Sequence, residues 1–162
     1  MKIFLFFLTC TLLLVSCRVV ESDEPANSVN TDEGIITSFS IIATDDNSLK
    51  TLITGDSIRT WNAQAFTLAG QTTFTSCRLD DGMIFMSNGT YQYEGGSTLC
   101  GSEDNLRTKR GTWVSNFENK TIVFDQGSSN EIVTTIIGLS ENLMSLRSSY
   151  RGMEVRGRYQ HQ

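Results

Sequence analysis

The chain has 162 residues, with 13 Lys plus Arg against 18 Asp plus Glu and a net charge of −5. That acidic balance argues against nucleic acid as a partner, because phosphate recognition wants a basic surface. One proline and 13 glycines suit a turn-rich β protein.

Met1 and Lys2 give a short positive start, and Ile3 to Val15 is apolar apart from Thr9, Cys10 and Thr11. These 13 residues fall short of the roughly 20 that a bilayer-spanning helix needs, so the run reads as the core of a secretory signal peptide over residues 1–16. At its end, Leu14-Val15-Ser16-Cys17 resembles the lipobox of bacterial lipoproteins. The resemblance implies diacylglycerol on the Cys17 thiol, cleavage before it and acylation of the new amine. Buried acyl chains contribute about 0.8 kcal/mol per CH₂, and two or three of them anchor a protein stably. Arg18, rather than Asp, follows Cys17, which in Gram-negative lipoproteins favours the outer membrane. The domain would then face the periplasm or the cell surface.

Residues 17–33 are polar, rich in Ser, Asn, Asp and Glu, and without periodicity, as expected of a lipidated N-terminus and flexible tether. The remainder, 34–162, reads as one domain. Ile35 to Ala43 is an apolar stretch with the character of a strand but no evident place. Asp45-Asp46-Asn47-Ser48 can cap a short helix through Leu49, Leu52 and Ile53, ended by Gly55.

From Trp61 onward, short β runs alternate with turn signals. They are Trp61–Ala69, Met83–Ser87, Thr90–Glu94, Arg110–Ser115, Lys120–Asp125, Glu131–Leu139, Leu143–Tyr150 and Met153–Gln160. Asn88-Gly89, between the second and third, is a strong hairpin signal. In the last run Met153, Val155 and Tyr159 alternate with Glu154, Arg156 and Arg158, and Met144 and Leu146 alternate with Ser145 and Arg147. One face of each strand is therefore expected in a core and the other in solvent. Eight antiparallel strands with short links predict an all-β, up-and-down barrel. A two-sheet sandwich is the competing architecture.

Cys10 leaves with the signal peptide and Cys17 carries lipid, which leaves Cys77 and Cys100 as a pair in an exported, oxidising setting. A two-residue turn at Asn88-Gly89 pairs residues whose numbers sum to 177, as Cys77 and Cys100 do; a three-residue turn moves the register by one. Either brings the two sulfurs close beyond the strand ends, and a disulfide is expected.

Several stretches together resemble the lipocalin-like lipoprotein domains of Gram-negative bacteria. These are Trp61 at the first strand, Cys77-Arg78-Leu79-Asp80-Asp81-Gly82-Met83-Ile84-Phe85, Asn88-Gly89-Thr90-Tyr91, Cys100, Gly111-Thr112-Trp113, Thr121–Phe124 and Leu143–Leu146. The resemblance spans 61–159 and implies an eight-stranded barrel with an internal cavity, a Cys77–Cys100 bridge and a small apolar ligand. The chain departs from true lipocalins in lacking Gly-x-Trp, since Arg59-Thr60 precede Trp61.

Catalytic signals are weak. His161, the one histidine, lies beside the C-terminus, so a Ser-His or Cys-His pairing is not expected, and two thiols alone make a poor zinc site. No catalytic, metal or cofactor residue is assigned. Asp80-Asp81 and Glu103-Asp104 read as ordinary loop acids rather than paired glycosidase carboxylates. The late arginines Arg147, Arg151, Arg156 and Arg158 read as a solvated face. Trp61, Phe85, Tyr91, Tyr93 and Trp113 can line a pocket, but packing at a barrel base is the simpler reading, so no ligand-binding residue is named. The expected function is a lipid-anchored, non-catalytic envelope protein carrying a small hydrophobic ligand. The alternative is a protein-interaction or envelope-assembly lipoprotein with a solid interior.

Overall fold

The computed structural model describes residues 36–72, 75–100 and 108–161. The proposed signal peptide, Cys17 and the tether lie outside them. Eight strands form a closed antiparallel barrel in chain order, each pairing with its neighbours and the last returning to the first. They are β1 (Ile58–Leu68), β2 (Gly82–Met86), β3 (Thr90–Glu94), β4 (Thr108–Asn116), β5 (Thr121–Phe124), β6 (Ile132–Leu139), β7 (Leu143–Tyr150) and β8 (Met153–His161). The closure of β1 on β8, with Trp61 opposite His161 and Leu68 opposite Val155, excludes the sandwich. It also leaves no unpaired sheet edge.

The β2–β3 hairpin takes the longer of the two expected turns. Gly82 pairs with Glu94 and Phe85 with Tyr91, so Ser87, Asn88 and Gly89 form a three-residue loop. Gly89 sits at φ 84°, where a side chain would be strained. The Asn88 carboxamide oxygen accepts from the Thr90 amide at 3.0 Å and from its hydroxyl at 2.7 Å. The Cys77–Cys100 disulfide forms, with the two Cα atoms 5.1 Å apart. It joins the β1–β2 and β3–β4 connections, which lie at the same end of the barrel.

The other end is closed by helix α1 (Asp46–Thr54). Asp45 caps it as expected: its carboxylate accepts from the Ser48 amide at 2.7 Å, and the Ser48 hydroxyl accepts from the Asp45 amide at 2.9 Å. This reciprocal pair satisfies two amides that would otherwise be orphaned. Gly55 ends the helix at φ 62°. Leu49 and Ile53 are buried in the core, and α1 is fastened from below by β1. Trp61 Nε1 donates to the Ile53 carbonyl at 2.8 Å, and Arg59 Nη1 donates to that of Leu52 at 2.7 Å.

Residues 36–43 are not a barrel strand. They form a strap on the outer wall, held to β6 by Phe39 N donating to Ile137 O and Ile42 N to Leu139 O, each 3.1 Å. Arg156 Nη1 donates to the Ile36 carbonyl at 3.0 Å, so this arginine serves the strap instead of standing free in solvent. A bulge in β6 between Ile136 and Gly138 puts Gly138 on the outside, and Phe39 lies in the space a side chain there would fill. Ser145, paired with Gly138, is fully buried although its neighbours predict a solvated position. Met153 also departs from expectation. It is 40% exposed, because it starts β8 at the open rim, beyond the reach of the core.

Candidate functional site

Strand alternation sends one set of side chains into the barrel, and that set changes character from end to end. Next to α1 the interior is solid. Trp61, Phe85, Trp113, Ile122, Ile136, Leu139 and Met144 are buried there. Phe85 meets Trp113 edge-on, with ring centroids 5.1 Å apart. The two indole N–H groups that this packing buries are both satisfied, Trp61 by Ile53 and Trp113 by the Met86 carbonyl at 3.2 Å.

Toward the opposite end the barrel is hollow, with a cavity of about 190 Å³. Its apolar wall comes from Phe66 on β1, Met83 on β2, Phe124 on β5, Leu146 on β7 and Val155 on β8. Tyr91, Tyr93, Lys109, Thr134, Ser148 and Tyr159 supply the polar part. An apolar cavity of about 150 Å³ holds one benzene, so this space takes a molecule of roughly one ring.

Two inward-facing glycines shape it. A Cβ on Gly157 would lie 2.8 Å from the Tyr159 ring and 3.0 Å from Phe66. The missing side chain is what lets these two rings meet edge-on, 5.6 Å between centroids. On β4, a Cβ on Gly111 would lie 1.9 Å from Asp125 Oδ1, so Gly111 admits the Asp125 carboxylate.

That carboxylate organises one polar cluster. It accepts from the Tyr91 hydroxyl at 3.1 Å and the Thr112 amide at 3.0 Å, and pairs with Lys109 Nζ at 3.2 Å. Burial alone would raise the Asp125 pKa, but the Thr112 amide, Lys109 and Tyr91 together hold it below its ordinary value. Burial pulls Lys109 down, and its contacts with Tyr91 and Asp125 more than offset this, leaving it raised.

A second cluster contains Asp81, read from the sequence as an ordinary loop acid but only 2% exposed. Its Oδ2 receives the Tyr93 hydroxyl and Arg78 Nη1 at 3.2 Å, and its Oδ1 receives the Gly96 amide at 3.0 Å. Arg78 Nη1 also donates to the Tyr93 oxygen at 2.8 Å. Burial first, then the bond to Asp81, push the Tyr93 phenol far above its ordinary pKa. Burial and the nearby Asp81 charge do the same to Tyr159. Both phenols therefore stay protonated across the physiological range, and Tyr93 donates to Asp81. Asp80, by contrast, is an exposed loop acid whose Oδ2 ties down the amides of Ser97 and Thr98 at 2.7 and 3.0 Å.

Of the five aromatics singled out in the sequence, Trp61, Phe85 and Trp113 pack the base, whereas Tyr91 and Tyr93 line the cavity. Alternation places all five inside and cannot say which end is filled. Asp81, Asp125, Thr134, Ser148, Gly157 and Tyr159 escaped the sequence reading as site residues. Glycines flanked by inward residues on both sides, as in Val155-Arg156-Gly157-Arg158-Tyr159, were the signal that could have found the hollow. Glu103-Asp104 lies outside the described residues. Among those described, no group of three His, Cys, Asp or Glu side chains could hold a metal ion, and no helix is long and apolar enough to cross a membrane. No family model matches the chain, and no curated protein or solved structure does so.

Proposed function

We propose that this is a lipid-anchored, non-catalytic binding protein of the cell envelope that carries one small, largely apolar molecule in the open half of its barrel. The observation that carries this reading is the cavity itself: about 190 Å³ of space inside a barrel whose other half is packed solid. A side-chain-filled interior would favour a protein-interaction role instead. The rim around the opening adds support, since Leu79, Ile132, Tyr150 and Met153 are large apolar residues left exposed there and ease the passage of an apolar molecule. Anchoring rests on Leu14-Val15-Ser16-Cys17, and the outer membrane on Arg18.

Displacement of an environment-sensitive hydrophobic dye, read together with native mass spectrometry of the purified protein, tests the carrier role. One equivalent should bind, and Val155→Trp, which fills the cavity from β8, should abolish binding without unfolding the barrel. Binding that survives Val155→Trp would place the dye elsewhere and defeat the reading. Anchoring is tested separately by metabolic labelling with a palmitate analogue. The label should be incorporated and should vanish in Cys17→Ala, whereas an unlabelled parent protein would refute the anchor.

A further inference from the structure

The cavity contains hydroxyl groups that the fold itself does not use. Tyr159 is only 6% exposed and Thr134 5%, and both line the cavity. Neither hydroxyl has a hydrogen-bond partner among the described residues, where Ser145 Oγ is the one fully enclosed side-chain polar atom without a partner. The Tyr159 and Thr134 hydroxyls are thus unpaired but not enclosed, and the space they open onto is the cavity. They approach from neighbouring parts of the wall. Thr134 on β6 is two residues from Ile136, which pairs with Leu146, and Leu146 pairs with Gly157, over which the Tyr159 ring lies.

Burying a hydroxyl without a partner is unfavourable, so the native occupant is expected to supply one. Charge narrows its chemistry further. Among the described residues, the two cations beside the cavity are already matched, Lys109 by Asp125 and Arg78 by Asp81. An anion entering here would lose its water and meet two carboxylates with no unmatched cation among those residues to compensate, which is strongly unfavourable. The Tyr91 hydroxyl already donates to Asp125 and the Tyr93 hydroxyl to Asp81, which leaves Tyr159 as the cavity phenol able to donate.

Resting on the carrier reading above, we infer that the cavity selects a neutral, one-ring-sized molecule bearing a hydrogen-bond acceptor such as a ketone or ester oxygen, which accepts a hydrogen bond from the Tyr159 hydroxyl with Thr134 alongside. Three probes of similar size separate the possibilities by calorimetric titration of the full-length protein: acetophenone (ring and carbonyl), ethylbenzene (ring alone) and benzoate (ring and anion).

Acetophenone should bind about five- to tenfold more tightly than ethylbenzene, the ratio that one net hydrogen bond provides, and benzoate should bind most weakly. Tyr159→Phe should erase the acetophenone preference while leaving ethylbenzene binding and the melting temperature unchanged, since the hydroxyl has no partner to lose. Thr134→Val, of nearly equal volume, serves as the second variant and should reduce the preference in part. Equal binding of acetophenone and ethylbenzene, a preference that persists in Tyr159→Phe, or tightest binding by benzoate would each overturn the inference while leaving a carrier in place. Failure of all three probes and of the hydrophobic dye would overturn the carrier reading together with it.

Discussion

Reducing the Cys77–Cys100 bridge offers a quantitative test of how the open end is held. The two residues are 23 apart in sequence, so the bond closes a loop of about 24 residues across the β2–β3 hairpin. In the chain-entropy model a loop of that length stabilises by about 3.4 kcal/mol. For a domain of this size that corresponds to a melting-temperature loss of about 10–15 °C. The measurement is a circular-dichroism melt of the oxidised protein, of the same protein in reductant, and of the double variant Cys77→Ser/Cys100→Ser. The second and third curves should coincide and fall below the first by that margin. The connections that the bridge joins also carry Arg78 and Asp81, which hold the cavity-lining Tyr93, so dye affinity should fall with the bridge. A melting temperature that moves by less than about 3 °C on reduction would refute the reasoning, because the hairpin ladder would then be closing the loop unaided.

Other perturbations follow from single positions. Gly111→Ala should displace the Asp125 carboxylate from Tyr91 and Lys109 and destabilise by about 1–3 kcal/mol, the usual consequence of overpacking; urea denaturation measures it. Acid should destabilise in a defined window. Asp125 and Asp80 both lie below their ordinary 3.8, so their contributions are present above that pH and are lost as pH falls through the lowered values. Melting temperature between pH 5 and 2 should therefore drop, and Asp125→Asn should drop less steeply. Ala69 sits at φ 50° ahead of Gly70 at φ 77°, a turn geometry that suits Asn-Gly. Ala69→Asn should raise stability by about 0.5–1 kcal/mol in the same urea assay.

The strand order was legible because one feature, alternation broken by turn residues, governs it. All eight strands fall where Trp61–Ala69 through Met153–Gln160 place them, within a few residues at the ends. Helix α1 was legible from its cap, since Asp45 and Ser48 are the residue types whose side chains satisfy N-terminal amides. The bridge was legible from the position of Asn88-Gly89 between Cys77 and Cys100, and it tolerated the one-residue change in register because both cysteines lie in connections beyond the strands.

The site was much less legible, for a physical reason. Whether an inward residue is packed or lines a cavity depends on which residues it meets across the barrel, and those meetings are set by strand stagger. Two bulges, at Ala63/Ala65 and Ile136/Gly138, add shifts that alternation does not reveal. Asp81 shows the same limit, since its partners are Arg78 three residues before it and Tyr93 and Gly96 across the β2–β3 hairpin. Ser145 reads as solvent-facing until the strap of residues 36–43 is laid over the outer wall.

Methyl NMR of the protein under xenon pressure tests the half-filled barrel most directly, because xenon enters apolar cavities of this scale. The methyl groups of Met83, Leu146 and Val155 should shift with increasing xenon, while those of Leu139, Met144 and Ile122, packed beneath α1, should stay fixed. A uniform absence of shifts, or shifts confined to the α1 end, would contradict a hollow at the Tyr159 end and the binding role drawn from it.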